Sequence, residues 1–157
     1  MKNHHTVLIK PFNSAAEARK ASNLNLCLCE HVAELNPPLK PVSSVTRKIH
    51  LIQLKPGEVG NLLKQIESHK FVSVPTNYLL GIGVADQTLV EKCSIIYTLD
   101  DANLFPGPGS GKPCNLCLEG FDPHVGACVG IAQYDLGLKE SDFGKPWYGW
   151  FAVMKKG

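Results

Sequence analysis

Hydrophobic and polar positions in the first part of the chain predict a strand followed by two helices. The segment TVLIKPF, residues 6 to 12, has the apolar, β-branched character of a strand that ends at a proline. Ser14 and Glu17 form the S-x-x-E pattern of a capping box, which predicts a helix over SAAEARKAS. Apolar side chains in residues 24 to 35 recur at steps of three and four, which predicts a second short helix.

The middle of the chain continues to mix strands with helix. Residues 45 to 54 have the half-alternating pattern of a strand, and the apolar positions of residues 56 to 69 fall on one helical face. The second of these segments is the clearest helix in the sequence. Further short strands are predicted at residues 71 to 74, 79 to 85 and 93 to 98.

The C-terminal half is predicted to be rich in strands. Residues 105 to 113, FPGPGSGKP, read as a surface loop because of their glycine and proline content. Two strands are predicted after it, at residues 125 to 134 and 147 to 155. We therefore expect a single globular α+β domain over residues 1 to 157. It would contain one mixed, mostly antiparallel sheet with about three helices on one face.

Composition fits an ordinary globular protein. Of 157 residues, 44% are hydrophobic and 19% are charged. The formal net charge of +2 argues against a dedicated nucleic-acid-binding protein, although it is compatible with a small basic patch. No apolar stretch reaches the roughly eighteen residues of a membrane span. The N-terminus lacks the apolar region of a signal peptide. We therefore expect no membrane partner and a cytoplasmic location, where the six cysteines would be reduced.

Four soft metal ligands lie close together in KPCNLCLEGFDPHVGAC. Cys114 and Cys117 have the C-x2-C spacing with which one tight turn presents two thiolates to zinc, and His124 and Cys128 complete a Cys3His set. The order of ligands resembles that of a zinc knuckle. The spacing here is C-x2-C-x6-H-x3-C, and both later intervals differ from the C-x2-C-x4-H-x4-C of that family. A closed set of four protein ligands predicts a structural zinc ion.

The same four residues also have a purely structural interpretation. Free cysteine is among the most buried residue types, and Cys128 begins a predicted apolar strand, so it fits a core position. Cys114 and Cys117 fit loop thiols, and His124 fits a turn bonded to nearby backbone. The sequence leaves both interpretations open.

Two functions are consistent with these patterns. The favoured one is a small intracellular binding or regulatory protein, not an enzyme, with a protein or small molecule as its ligand and zinc in the four-residue site. The alternative is a cysteine-dependent hydrolase, in which the Cys29 thiol opens a helix and His124 takes its proton. The sequence assigns no other catalytic residue.

Overall fold

One mixed β-sheet organises the residues that this computed structural model describes, which are 4–53, 66–68, 70–120, 122–134 and 150–156. Its strands are β1 His4–Ile9, β2 Cys27–Leu28, β3 Arg47–Gln53, β4 Phe71–Ser73, β5 Ile95–Tyr97, β6 Phe105–Pro106, β7 Pro113–Glu119, β8 Cys128–Gln133 and β9 Trp150–Lys155. The described α-helices are α1 Ala15–Ala21, α2 Glu30–Leu35, α3 Thr76–Ala85 and α4 Gln87–Cys93, and a short 3-10 helix covers Asp101–Asn103.

The strand order confirms the predicted fold class. The sheet runs β1-β3-β9-β5-β7-β8-β2, with β4 paired to β9 and β6 paired to β7 outside this path. Among the described strands, β2 with β8 and β5 with β9 are the parallel pairs, and the other pairs are antiparallel. The fold is therefore α+β with a mixed, mostly antiparallel sheet and a strand-rich C-terminal half.

The two faces of the sheet pack against different side chains. On one, which we call the helical face, residues of α1 and α3 join a large core that includes Ile49, Leu51, Leu116, Leu118 and Val129. The other, which we call the opposite face, carries a smaller buried group that consists of Ile52, Ile66, Phe71, Ile95, Tyr97, Cys117, Phe151 and Val153. Successive residues of a strand point to alternate faces. This alternation decides which cysteines can meet.

Helix α1 begins as the capping box predicts. The Ser14 hydroxyl accepts a hydrogen bond from the Glu17 backbone N–H at 3.1 Å, and the Glu17 carboxylate accepts one from the Asn13 N–H at 3.3 Å. Both bonds use N–H groups at a helix start, where such groups lack partners within the helix. The helix predicted at residues 56 to 69 lies mostly outside the described residues, and its residues 66–68 are helical.

The strand predicted at residues 79 to 85 is wrong, because these residues belong to α3. Most of α3 is buried on all sides, so its sequence has no polar face and its apolar run looks like a buried strand. Gly81 allows this helix to approach β1, since a Cβ there would collide with the Lys10 carbonyl oxygen. The Asp100 carboxylate accepts hydrogen bonds from the Thr76 N–H and hydroxyl at 2.7 and 2.8 Å, which stabilises the first turn.

The helix predicted over residues 24 to 35 is correct only in its second half. Cys27–Leu28 forms the edge strand β2, and α2 begins at Glu30. Strand β7 and helix α4 were not predicted, although the Asp86 carboxylate caps α4 by accepting from the Leu89 N–H at 2.9 Å. Within the described part of the chain, no helix has the length and apolar character needed to cross a membrane.

Candidate functional site: a thiol cluster and a basic cleft

The structure does not bring the four predicted zinc ligands together. Cys114 and Cys117 both lie on β7, three positions apart, so their side chains point to different faces of the sheet. Cys114 is buried on the helical face, and Cys117 lies in the core of the opposite face. His124 is exposed in a turn, where its backbone N–H donates to the Asp122 carboxylate at 2.9 Å. Of the four, Cys117 and Cys128 share a face.

This arrangement does not fit a tetrahedral zinc site, because one ion would have to contact side chains on both faces of the sheet. Among the described residues, no group of three or more His, Cys, Asp or Glu side chains is arranged to hold a metal ion. Zinc at Cys114, Cys117, His124 and Cys128 stays a prediction from the sequence, and the positions of these residues in the structure do not support it. The buried position of Cys128 and the turn around His124 agree with the structural interpretation instead.

Two cysteines of the β2 segment lie near Cys117 and Cys128: Cys27 is paired with Cys128, and Cys29 is close enough to both to raise their pKa values. We call the set of Cys27, Cys29, Cys117 and Cys128 the thiol cluster. The parallel pairing of β2 with β8 places Cys27 beside Cys128, and the pairing of β7 with β8 places Glu119 on the other side of Cys128. Gly130, two residues further along β8, is paired with Cys117. Cysteines that are far apart in sequence thus meet at one end of the sheet.

The Glu119 carboxyl group lies over Gly130, within the thiol cluster. A Cβ atom at position 130 would be 2.5 Å from Glu119 Oε1, so the glycine provides the space that this carboxyl occupies. The Cys117 thiol donates a weak hydrogen bond to the same oxygen at 3.8 Å. Burial raises the pKa of Glu119 above its ordinary value, and the bond from Cys117 partly opposes this shift. Glu119 therefore keeps its proton to a higher pH than an exposed glutamate.

Burial also raises the pKa values of the two inner thiols. The pKa of Cys128 rises to about 12, first because the thiol is desolvated and then because the Cys27 thiol lies beside it. The pKa of Cys117 also rises well above its ordinary value, mainly by desolvation and then through the charge of Glu119. Both thiols are therefore protonated at neutral pH, so neither is expected to be the first to react with an external reagent. Cys27 and Cys29 are half-buried, so reagents reach them more easily.

The structure gives no support to the predicted pair of Cys29 and His124. Cys29 lines a groove of about 410 Å³ together with His31 and Glu119, and His124 does not line it. His124 lies instead in the turn before β8, and no hydrogen bond links it to Cys29 within the described part of the chain. A cysteine hydrolase needs its imidazole within hydrogen-bond reach of the thiol.

A second site, which the sequence did not predict, lies where β3 and β9 separate. The pairing of these strands ends at His50 and Val153. However, β1 stays paired with β3 as far as Arg47, and β4 stays paired with β9 as far as Lys155. The start of β3 and the end of β9 therefore diverge, each held by a different neighbour. A cavity of about 430 Å³ opens between them.

Positive charge dominates the walls of this cavity, which we call the basic cleft. It is lined by Thr6, Val45, Thr46, Arg47, Lys48, His50, Met154 and Lys155. None of these lining residues is acidic, although three of them are cationic in a chain whose net charge is only +2. Lys48 and Lys155 lie on the opposite face of the sheet, and Arg47, which precedes Lys48 in β3, lies on the helical face. The His50 ring is buried, with Nδ1 3.2 Å from the Thr6 hydroxyl oxygen and with the Phe71 ring centred 5.1 Å away.

Both sites have partial signals in the sequence. Interpreting PCNLCLE as a strand puts Cys117 and Glu119 on one face, but the metal-like spacing of the cysteines favoured a turn. Arg47 and Lys48 begin a strand that the sequence does predict. Their approach to Lys155 depends on which strands pair, and no local pattern specifies that pairing.

Comparison with known proteins does not add to this description. No family model, no curated protein and no solved structure matches the chain. A function must therefore be inferred from the geometry and chemistry of the two sites. The basic cleft is open and charged, whereas the inner thiols of the thiol cluster are buried and protonated.

Proposed function

We propose that this is a binding protein, not an enzyme, and that its ligand is a small molecule bearing phosphate that occupies the basic cleft. The observation that carries this proposal is that Lys48 and Lys155 lie on the same face of the sheet at one cavity, with Arg47 at its wall and no acidic residue among the described residues that line it. Opposite charge in a concave site attracts anions and raises their local concentration.

The donors in the cleft suit a phosphate group better than a single carboxylate. Lys48 and Lys155 each offer an ammonium group on one face of the sheet, and the Arg47 guanidinium adds positive charge at the wall of the cavity. The hydroxyl groups of Thr6 and Thr46 also line the cavity. A phosphate monoester presents three strong acceptor oxygens and a charge close to −2, so it accepts more of these hydrogen bonds than a carboxylate does.

The size of the cleft favours a ligand no larger than a nucleotide. Cavities for small molecules commonly have volumes of about 300 to 1,000 Å³, and the cleft of about 430 Å³ lies within this range. Val45 and Met154 supply apolar contacts for an organic portion such as a base or sugar. A protein specialised for long nucleic acids usually spreads positive charge over a wide surface, and a net charge of +2 does not suit that role.

One further feature supports an intracellular binding role. None of the six cysteines, all of which the structure describes, forms a disulfide bond, which suits a reducing compartment such as the cytoplasm. A regulatory role would follow if ligand binding changes the separation of β3 and β9.

Calorimetric titration with ADP and with inorganic pyrophosphate tests the proposal. We expect saturable binding of ADP by the wild-type protein, with a Kd on the order of tens of micromolar. The double variant Lys48→Gln/Lys155→Gln is expected to bind about 100-fold more weakly. Each lost charge-assisted hydrogen bond removes about 1.5 kcal/mol, which is about tenfold in affinity.

A charge-matched variant separates a specific site from general attraction. Lys92 lies on α4 and Lys112 in the loop before β7, so Lys92→Gln/Lys112→Gln removes equal charge outside the cleft. This variant is expected to keep the wild-type affinity. Equal weakening in both variants, or no saturable binding of either probe by the wild-type protein, would overturn the proposal. Tighter binding of a single-stranded oligonucleotide than of ADP would replace the small ligand with nucleic acid.

A further inference from the structure

Cys27 and Cys128 are positioned for a disulfide bond, at a site separate from the basic cleft. They are direct partners in the parallel pairing of β2 with β8, so both side chains point to the same face. Each thiol donates a weak hydrogen bond to the carbonyl oxygen of the residue that follows it, Leu28 or Val129. Paired strands lie about 4.8 Å apart, and disulfides join residues whose Cα atoms are about 4.4 to 6.8 Å apart. The Cα separation that this register implies therefore lies within the range that a disulfide bond requires.

We propose that Cys27 and Cys128 form an intramolecular disulfide when the protein meets a hydroperoxide, and that this pair is its oxidation site. Cys27 is the more exposed partner and reacts first. Its sulfur attacks the peroxide, the O–O bond breaks, and Cys27 becomes a sulfenic acid while the peroxide is reduced to an alcohol or to water.

The second step joins the two sulfurs. The Cys128 sulfur attacks the sulfenic sulfur of Cys27, an S–S bond forms, and the hydroxyl group leaves as water with the Cys128 proton. In total, two thiols and one hydroperoxide give one disulfide, one alcohol and one water, or two waters when the oxidant is hydrogen peroxide. A dithiol reductant reverses the change: it reduces the protein disulfide to two thiols and is itself oxidised to a disulfide.

The sheet register disfavours the pairs that involve Cys117. Cys117 lies diagonally from Cys128, since its direct partner is Gly130, and diagonal Cα atoms on neighbouring strands are about 7 to 8 Å apart. Cys29 and Cys117 lie on opposite sides of β8, at about two strand spacings or 9.6 Å. Both separations exceed the usual range for a disulfide.

The disulfide would fix the edge of the sheet. Strand β2 pairs with β8 at only two positions, so the bond adds a covalent link to a short edge strand. It also closes a loop of about 100 residues, which strongly restricts the unfolded chain. We expect the thermal midpoint of the oxidised protein to rise by roughly 10 °C. Cys29 and His31 follow β2 in the chain and line the neighbouring groove. Because the disulfide would fix the position of β2, it would also restrict the movement of these two lining residues.

Oxidation of the full-length protein followed by disulfide mapping tests this inference. The protein is treated with equimolar hydrogen peroxide, its remaining thiols are alkylated, and unreduced peptides are analysed by tandem mass spectrometry. We expect one disulfide between Cys27 and Cys128 that a dithiol reductant removes. The variant Cys27→Ser should lose this disulfide and keep its fold, because the position is half-buried. The matched control Cys114→Ser changes a thiol on the helical face and should retain it.

Trapping the intermediate gives a second readout of the same reaction, in a variant whose fold is checked by circular dichroism. In Cys128→Ala, we expect Cys27 to stop at the sulfenic acid, which a cyclic 1,3-diketone labels. A disulfide between Cys29 and Cys117, a disulfide between two chains, or oxidation of Cys27 in the wild-type protein without a disulfide would each overturn the inference.

Discussion

The thiol cluster and the basic cleft lie in the same sheet, yet they provide very different environments. At the thiol cluster, β8 is paired with β7 on one side and with β2 on the other, so the inner side chains are removed from water. At the basic cleft, the pairing of β3 with β9 stops at His50, and the strands diverge. Charged side chains around that opening stay in contact with solvent.

This difference shows that strand pairing sets the chemistry of each site. Where the strands stay paired, Cys117 and Cys128 are desolvated and stay protonated. We therefore expect the more exposed Cys27 to be the first of these thiols to react with an oxidant. An interrupted pairing leaves the Lys48 and Lys155 side chains exposed and available to an anion. The first region suits a covalent change on oxidation, and the second suits reversible binding of a charged ligand.

The largest expected contrast comes from placing a carboxylate in each region. Cys117→Asp buries a charge in the core of the opposite face, so we expect the free energy of unfolding to fall by about 4 kcal/mol. Lys48→Asp changes an exposed side chain, and its effect on stability should stay within about 0.5 kcal/mol. Urea unfolding measures both values. Similar losses in the two variants would contradict the contrast.

Alkaline pH is expected to weaken the thiol cluster more moderately. Burial raises the pKa of Cys128 from 9.0 to about 12, so its contribution to stability is complete below pH 9.0 and is lost as the pH rises towards 12. Over that window, wild-type protein should lose about 1 to 2 kcal/mol more than Cys128→Ala, which lacks the group. Urea unfolding at a series of pH values compares them. Parallel pH profiles for the two proteins would show that Cys128 is not the group responsible.

The smallest expected effect is that of salt concentration, which should change ligand affinity at the basic cleft and leave the thiol cluster unaffected. Raising the ionic strength from about 0.05 M to about 0.5 M shortens the range of electrostatic interactions, so we expect ADP affinity to fall about fivefold. The variant Lys48→Gln/Lys155→Gln should show a weaker dependence, since it lacks two of the charges involved. Calorimetry at several salt concentrations measures this. A salt response that is the same in both proteins would place the binding charges elsewhere.

The sequence predicted elements well where the local signal was strong. Ser14 and Glu17 mark the start of α1, and residues 45 to 54 contain β3, because capping and alternation act over a few residues. The strand predicted at residues 79 to 85 failed because a helix buried on all sides has no polar face to reveal its period. Within PCNLCLE, the spacing of cysteines suggested a metal-binding turn and hid the alternation of β7.

By itself, the sequence determined the fold class, an α+β arrangement with a strand-rich C-terminal half, because composition and local periodicity are properties of short segments. It also showed that cysteines and basic residues were present in number. Only the tertiary structure decided that Cys27 lies beside Cys128, and that Lys155 shares a cavity with Arg47. Both depend on which distant strands pair and at which residue the pairing stops, and packing of the whole sheet sets that choice.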